Sequence, residues 1–275
     1  MSSSRDAFAA FERRGWEDRT VCQAYDAGLG AVTSQCVEAL LDAAAVSADC
    51  RALDVATGAG YVVGAALARG AQVSGVDFSA AQLTLARERH PQAQLQEASA
   101  DALPFEDGCF DAVVCNFGMP HFPDPSAALR DAYRVLAPGG RLAFSAWDVP
   151  ERAAGFGMVY AAIRQHGTLE VGLPTGPNFF LFSEPAVSLG ALAQAGFAAA
   201  RVAVVPQVWQ LRDPDDLFDT ILQGTVRAAA TLRAQRPGAL AAIRAEVRAN
   251  LERYRADRLY RIPMPALVAA GVKPG

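Results

Sequence analysis

The chain has no CxxC pair, no internal repeat, no low-complexity tail and no basic excess. It also lacks any apolar run near the ~18 residues of a membrane span. Each absence removes a class. The five cysteines, Cys22, Cys36, Cys50, Cys109 and Cys115, are odd in number and scattered. That argues against a disulfide framework or a zinc site and for reduced thiols, so no metal is expected. The opening MSSSRDAFAAFERR has no continuous apolar stretch of the signal-peptide kind. The cytoplasm is therefore the expected compartment, with no membrane partner. A net charge of -4 lacks the basic footprint of a nucleic-acid binder.

What is present is a 275-residue chain, 52% hydrophobic, long enough for one domain with elaborations. Apolar residues recur at helical spacing through 5–46, interrupted at Gly15 and at Gly28-Leu29-Gly30. At Arg51 the character changes. RALDVATGAG reads as a strand entering a glycine turn, followed by a helix over 61–68 and the strand AQVSGVDF. Ser79 and Gln82 have the spacing of a capping box, so a helix starts there. AQLQEAS is a third strand and CFDAVVCNF a fourth. Asp124-Pro125 opens a helix over 126–136, and RLAFSAW is a fifth strand. Strands alternating with helices imply an α/β fold with a doubly wound, mostly parallel sheet.

After Asp148 the rhythm breaks. Residues 150–182 are an insertion rich in Gly and Pro, helical at 157–165. A helix over 185–195 and a strand over 200–211 follow, then a helical region from 213 to 257. The stretch 259–271 is a last strand, which Pro263 and Pro265 put at an edge or turn partly into loop. The expected organisation is one domain, 1–275: an N-terminal helical cap (1–46), a ligand-binding core (50–148), the insertion (150–182) and a second helical cap (213–257).

Ligands in open parallel sheets bind at the carboxyl ends of the strands, near the switch point. Here those ends carry Asp54, Asp77, Asp101 and Asn116. Gly58-Ala59-Gly60 permits close approach of backbone to a ligand. A dinucleotide fold needs a third glycine where Val63 stands, and Asp54 would repel a pyrophosphate. A nicotinamide-dependent oxidoreductase is therefore disfavoured. S-adenosylmethionine (SAM) has no phosphate and carries two cationic groups, which favour a carboxylate at the turn. Asp77 suits the paired ribose hydroxyls and is expected to serve the ligand more than the fold. Asp101 suits the adenine amino group. Taken singly, each acid also reads as a helix cap or a solvated loop residue.

LDVATGAG, GVDFS, ASADALPF, FDAVVCNFGMPHFPDP and RVLAPGGRLAFSAW, in order across about residues 50–148, resemble the motifs of class I, Rossmann-like SAM-dependent methyltransferases. The ubiquinone/menaquinone-biosynthesis-like small-molecule group is the nearest in character. The resemblance implies SAM as cofactor and S-adenosylhomocysteine (SAH) as product. It implies that Asp54, Ala56, Gly58 and Gly60 meet the methionine end. Asp77 would meet the ribose, Ala100 and Asp101 the adenine, and Asn116 and Phe117 the sulfonium, with Thr57, Phe78 and Ala102 as further cofactor contacts. Ala56 stands where the family's first turn glycine is usual. The family's last strand runs antiparallel to the rest.

The implied reaction is in-line transfer of the methyl group to a small-molecule acceptor through oxygen, nitrogen or carbon. A SAM-fold protein with a regulatory or non-methylating role is the alternative. Methyl transfer from a sulfonium needs alignment, desolvation and sometimes a base. His121, in the loop after the fourth strand, is the candidate base, though it also reads as a packing residue. Trp16, Tyr25, His121, Phe156, His166 and Phe179 are candidates for the acceptor pocket. His90, before a proline at a helix end, is expected at the surface. Nine arginines over 225–261 read as a solvated helix face or as a site for an anion. The insertion reads as a mobile cover over the site.

Overall fold

In the computed structural model, which describes residues 4–275, the chain opens with α1 (Ser4–Trp16), α2 (Arg19–Gly28), α3 (Gly30–Thr33) and α4 (Val37–Ala43). The first three residues of the expected 1–46 cap lie outside the described residues. Gly15 does not interrupt α1. It lies inside the helix, and its missing side chain makes room for Val226.

An alternating segment follows: β1 (Arg51–Val55), α5 (Tyr61–Ala68), β2 (Gln72–Asp77), α6 (Ala80–Arg89), β3 (Gln94–Glu97), β4 (Phe110–Cys115), α7 (Pro125–Val135) and β5 (Leu136–Trp147). The caps fall where the residues predicted them. The Ser79 hydroxyl accepts the Gln82 N–H at the start of α6, and Asp124 accepts the Ala127 N–H ahead of Pro125. β5 begins earlier than expected, at Leu136, because α7 passes straight into the strand. Pro138-Gly139-Gly140 forms a bulge within it rather than a loop before it.

The remaining elements are α8 (Ala154–His166), α9 (Pro185–Gln194), β6 (Ala198–Val205), β7 (Val208–Leu211), α10 (Asp216–Gly224), α11 (Arg227–Arg233), α12 (Pro237–Leu251), β8 (Arg255–Ala256), β9 (Leu259–Pro263) and β10 (Ala266–Val272). Two expected strands are each split. The stretch 200–211 divides at Pro206-Gln207 and the stretch 259–271 at Met264-Pro265. The Met264 N–H donates to the Gln207 carbonyl across the two breaks, at 2.9 Å. One half of each joins a seven-stranded sheet of order β3-β2-β1-β4-β5-β10-β6, and the other joins a small sheet of order β7-β9-β8. β10 is therefore interior, not at an edge. It is antiparallel to both neighbours, while β1 to β5 pair in parallel.

Alternate strand residues feed two apolar layers. Ala112 and Val114 of β4 face a core shared with α4, α5, α8 and α12, while Val113 and Cys115 face one shared with α7 and α9. The insertion departs from expectation here. Phe156, Val159, Ala162 and Ile163 of α8 are buried in the first layer. Apolar burial on that scale makes α8 part of the core, not a mobile cover. The Gly-Pro-rich stretch 167–180 forms no helix or strand.

The N-terminal helices are held over the sheet by close helix packing. α2 lies against α10, and a Cβ added at Gly224 would come within 2.7 Å of the Tyr25 backbone nitrogen. Backbone cannot yield as a flexible side chain can. Gly224→Ala should therefore push α2 off α10 and cost about 1–3 kcal/mol, as overpacking does. Urea unfolding measures this, and an unchanged midpoint would show that α2 is not anchored at this point.

Candidate active site

Strand order reverses between β1 and β4, so a crevice opens at their carboxyl ends. There the chain turns from β1 into α5 through Ala56, Gly58 and Gly60, with φ of 58°, 55° and 85°. Two buried acids shape the turn. The Thr57 hydroxyl donates to Asp54 Oδ2 at 2.6 Å. The Gly58 N–H donates to Asp77 Oδ2 at 2.9 Å, and the Ser79 N–H donates to Asp77 Oδ1 at 2.9 Å. Asp77 was expected to serve the ligand more than the fold, and that is corrected. It ties the glycine turn to the end of β2 and the start of α6, with lone pairs left over on both oxygens.

Ala56, at the place of the family's usual glycine, sits in the left-handed region. Phe117 does so too, at φ 57°. Such positions cost roughly 1–3 kcal/mol each and concentrate at ligand sites. The Ala56 methyl is accommodated by Gly118, where an added Cβ would lie 2.7 Å from it. Asn116 is held rigid by its amide N–H to the Thr33 carbonyl (3.1 Å) and by the Ser145 hydroxyl, which donates to its Oδ1 at 2.7 Å.

A cavity lies on this turn. Asp54, Ala56, Thr57, Gly58, Asp77, Phe78, Asn116 and Phe117 all line it, as do Trp16, Tyr25 and His121. Gly60, Ala100, Asp101 and Ala102 do not. The Gly60 backbone instead lets the His90 ring approach, an added Cβ there meeting it at 3.0 Å. His90 is thus packed against the start of α5, not free at the surface. Asp101 is exposed and takes a hydrogen bond from Ser99. Val63, where a dinucleotide fold needs glycine, is fully buried.

Asp54 Oδ1 is buried and has no hydrogen-bond partner among the described residues. An unpaired acceptor on a cavity wall is complementary to a cationic or hydrogen-donating group, not to a phosphate. The residues thus fit a cationic amino acid group such as SAM carries. Burial pushes the Asp54 carboxyl up to about 7, with the Thr57 bond opposing and the Asp77 charge adding. Burial likewise raises Asp77, against the two backbone N–H groups and the nearby His121 and Arg13.

A second cavity adjoins the first, and Trp16, Tyr25, Phe117 and His121 line both. Phe156 and Phe179 line the second, with Trp147, Tyr160, Glu12 and Arg227. His166 does not. It lies at the end of α8 beside Glu246, at 3.6 Å. On the shared wall, Glu12 Oε2 accepts from Trp16 Nε1 at 3.2 Å and lies 2.8 Å from His121 Nδ1. A carboxylate on Nδ1 fixes the ring and leaves Nε2 as the basic nitrogen. Glu12 was not picked out in the sequence. Its signal was there: Phe8, Glu12 and Trp16 stand four apart on the buried face of α1, so an acid occupies an apolar stripe.

The N-terminal helices close over the first cavity through polar contacts. The Ser79 hydroxyl donates to the Trp16 carbonyl at 2.5 Å, and Arg13 Nη1 donates to the Phe78 carbonyl at 2.9 Å. Asp26 of α2 binds the Tyr61 hydroxyl and Arg89, whose guanidinium lies over the Tyr61 ring.

The sheet order, the antiparallel β10 and the acid-lined glycine turn define a class I, Rossmann-like methyltransferase fold. Residues 53–144 match the family described as "Methyltransferase domain". It is 44% identical over 126 residues to a demethylmenaquinone methyltransferase of Thermus thermophilus, an alignment covering 44% of this chain and 57% of that protein. It is 36% identical over 169 residues to a ubiquinone/menaquinone biosynthesis C-methyltransferase of Methylobacterium nodulans, covering 54% and 66%. The chain thus spans little more than half the length of the first of these relatives. A phosphoethanolamine N-methyltransferase of Haemonchus contortus, solved with SAM, shares the fold at a TM-score of 0.56 and 21% identity, covering 100% of this chain and 61% of that one. Among the described residues, no helix is long and apolar enough to cross a membrane.

The Asp54 carboxyl sets a pH dependence. From its ordinary value of 3.8 up to about 7, the folded protein keeps a proton that the unfolded chain releases. Stability must then fall as pH rises through that window and stay lower above it. Asp77, raised in the same direction, adds a slope of the same sign. Asp54→Asn should therefore lose less stability than wild type between pH 5 and pH 8 in urea titrations. Parallel losses in the two proteins would show that Asp54 is ionised without penalty.

Proposed function

We propose that this chain is a SAM-dependent methyltransferase acting on a small, planar, aromatic acceptor. The observation that carries this reading is the pair of adjoining cavities, one acid-lined at the switch point and one aromatic, sharing the wall of Trp16, Tyr25, Phe117 and His121. The relatives' names, which speak of menaquinone and ubiquinone precursors, support a planar acceptor.

When bound, SAM supplies a methyl group already activated on a sulfonium. Asp54 Oδ1 would take its amino group, the turn at Gly58 its amino acid backbone, and Asp77 its ribose. Asn116 and Phe117 would border the sulfonium. Asp101 does not line the cavity, so an adenine contact there rests on the resemblance alone. The aromatic walls keep water from the acceptor and hold its plane. Where the acceptor is a hydroxyl, His121 Nε2 takes the proton as the oxygen gains its methyl group, and Glu12 steadies the resulting imidazolium.

SAH should bind in the micromolar range, about -8 kcal/mol, and NADH should not, as calorimetry would measure. NADH binding without SAH binding would overturn the reading. Asp77→Ala should weaken SAH by about 1.5–3 kcal/mol and also lower the unfolding midpoint, since it frees the Gly58 and Ser79 N–H groups.

His121→Ala should lower turnover by about 10²-fold or more and leave SAH affinity nearly intact. Glu12→Gln should lower turnover less, because an amide still accepts from Nδ1 but no longer balances charge. Unchanged turnover in both variants would remove the base from the mechanism.

A further inference from the structure

The nine arginines over 225–261 separate by location. Arg244 pairs with Asp215 and Asp219, Arg248 with Asp215, and Arg255 with Glu252. Those are the solvated helix face. Arg227 is different. It lines the aromatic cavity together with His121, Phe156 and Phe179. It is half-buried and makes no ion pair among the described residues. Its Nη1 donates to the Pro174 carbonyl at 3.0 Å, and its guanidinium carbon stands 5.8 Å from the centre of the Phe8 ring. Other N–H donors of the planar fork remain for a ligand.

From the juxtaposition of this unpaired guanidinium with His121 in one aromatic cavity, we infer that the acceptor is an aryl carboxylate, with its acid group held by Arg227 and its ring against the wall that Phe156 and Phe179 form. The inference rests on the methyltransferase reading and narrows its substrate class.

The charges in the cavity are arranged for it. Glu12, the acid on the cavity wall, is occupied by Trp16 and His121. Arg227 and Tyr160 also line a further hollow, which the exposed Glu170 shares. Burial raises the Tyr160 hydroxyl, while the fields of Arg227 and Arg164 oppose the rise. A guanidinium in a partly desolvated aromatic cavity gains most from a carboxylate, which it can bind through two parallel hydrogen bonds. A neutral acceptor of the same shape leaves that capacity unused.

The test is calorimetry on the full chain saturated with SAH. The probes are two matched pairs: 4-hydroxybenzoate with 4-hydroxybenzamide, and 6-hydroxy-2-naphthoate with 6-hydroxy-2-naphthamide. In the wild type the acids should bind about tenfold or more tightly than the amides. Arg227→Met should erase the gap, and Arg227→Lys should keep part of it, with SAH affinity unchanged in both. Equal binding of acid and amide beside bound SAH, binding of neither acid, or a gap that survives Arg227→Met overturns this inference and leaves the methyltransferase reading standing. Failure of SAH to bind the wild type overturns both. The wild-type comparison decides the matter even where a variant fails to fold.

Discussion

The Asp77 carboxylate is the interaction on which the site depends. Its two oxygens receive the Gly58 and Ser79 N–H groups, joining the turn after β1, the end of β2 and the start of α6. Without that clamp, a turn with three left-handed residues has no fixed relation to its neighbours. Ionised, the acid is a strong acceptor, and burial makes each bond to it count for more. Burial also makes the charge expensive, so the same group that organises the turn has its ionisation opposed. A ligand offering donors or positive charge to Asp77 and Asp54 relieves that opposition. The fold thus holds, at its switch point, two acids that are more comfortable with a cation than without one.

Around this clamp the N-terminal helices complete the cavity. Trp16 is the junction: its carbonyl accepts from Ser79, its indole N–H donates to Glu12, and its ring faces both cavities. Glu12 in turn holds His121, so an acid on α1 sets a histidine that follows β4. The wall between the two cavities is therefore built from segments far apart in the chain and held by charge-assisted bonds. Thr225 to Ala228 supply another side of the aromatic cavity, with Arg227 at the first position of α11.

Much of the Rossmann-like half was legible before any coordinates, and for local reasons. Helix caps at Ser79 and Asp124, the glycine turn and the alternation of strand and helix depend on residues within a few positions of one another. The misreadings have a common cause. The strands over 200–211 and 259–271 each look continuous, because apolar alternation carries no mark of which sheet a residue joins. Only the contact between the two breaks, Met264 to Gln207, separates them. The insertion looked mobile from its glycines and prolines, yet the face of α8 is buried by α12, which lies some seventy residues on. His166 and His90 were judged by their neighbours in sequence, and both are placed by neighbours in space.

By itself the sequence determined the class of fold, the position of the acid-lined turn and the chemistry that turn favours. Periodicity, caps and spacing are short-range properties, and a cationic ligand follows from two carboxylates without a phosphate cradle. Tertiary structure alone decided that Asp77 ties the glycine turn to β2 and α6, that Glu12 stands behind His121, and that Arg227 of the nine arginines reaches the aromatic cavity. Each of those facts is a pairing between distant segments, and a pairing has no trace in either segment until packing removes the water between them.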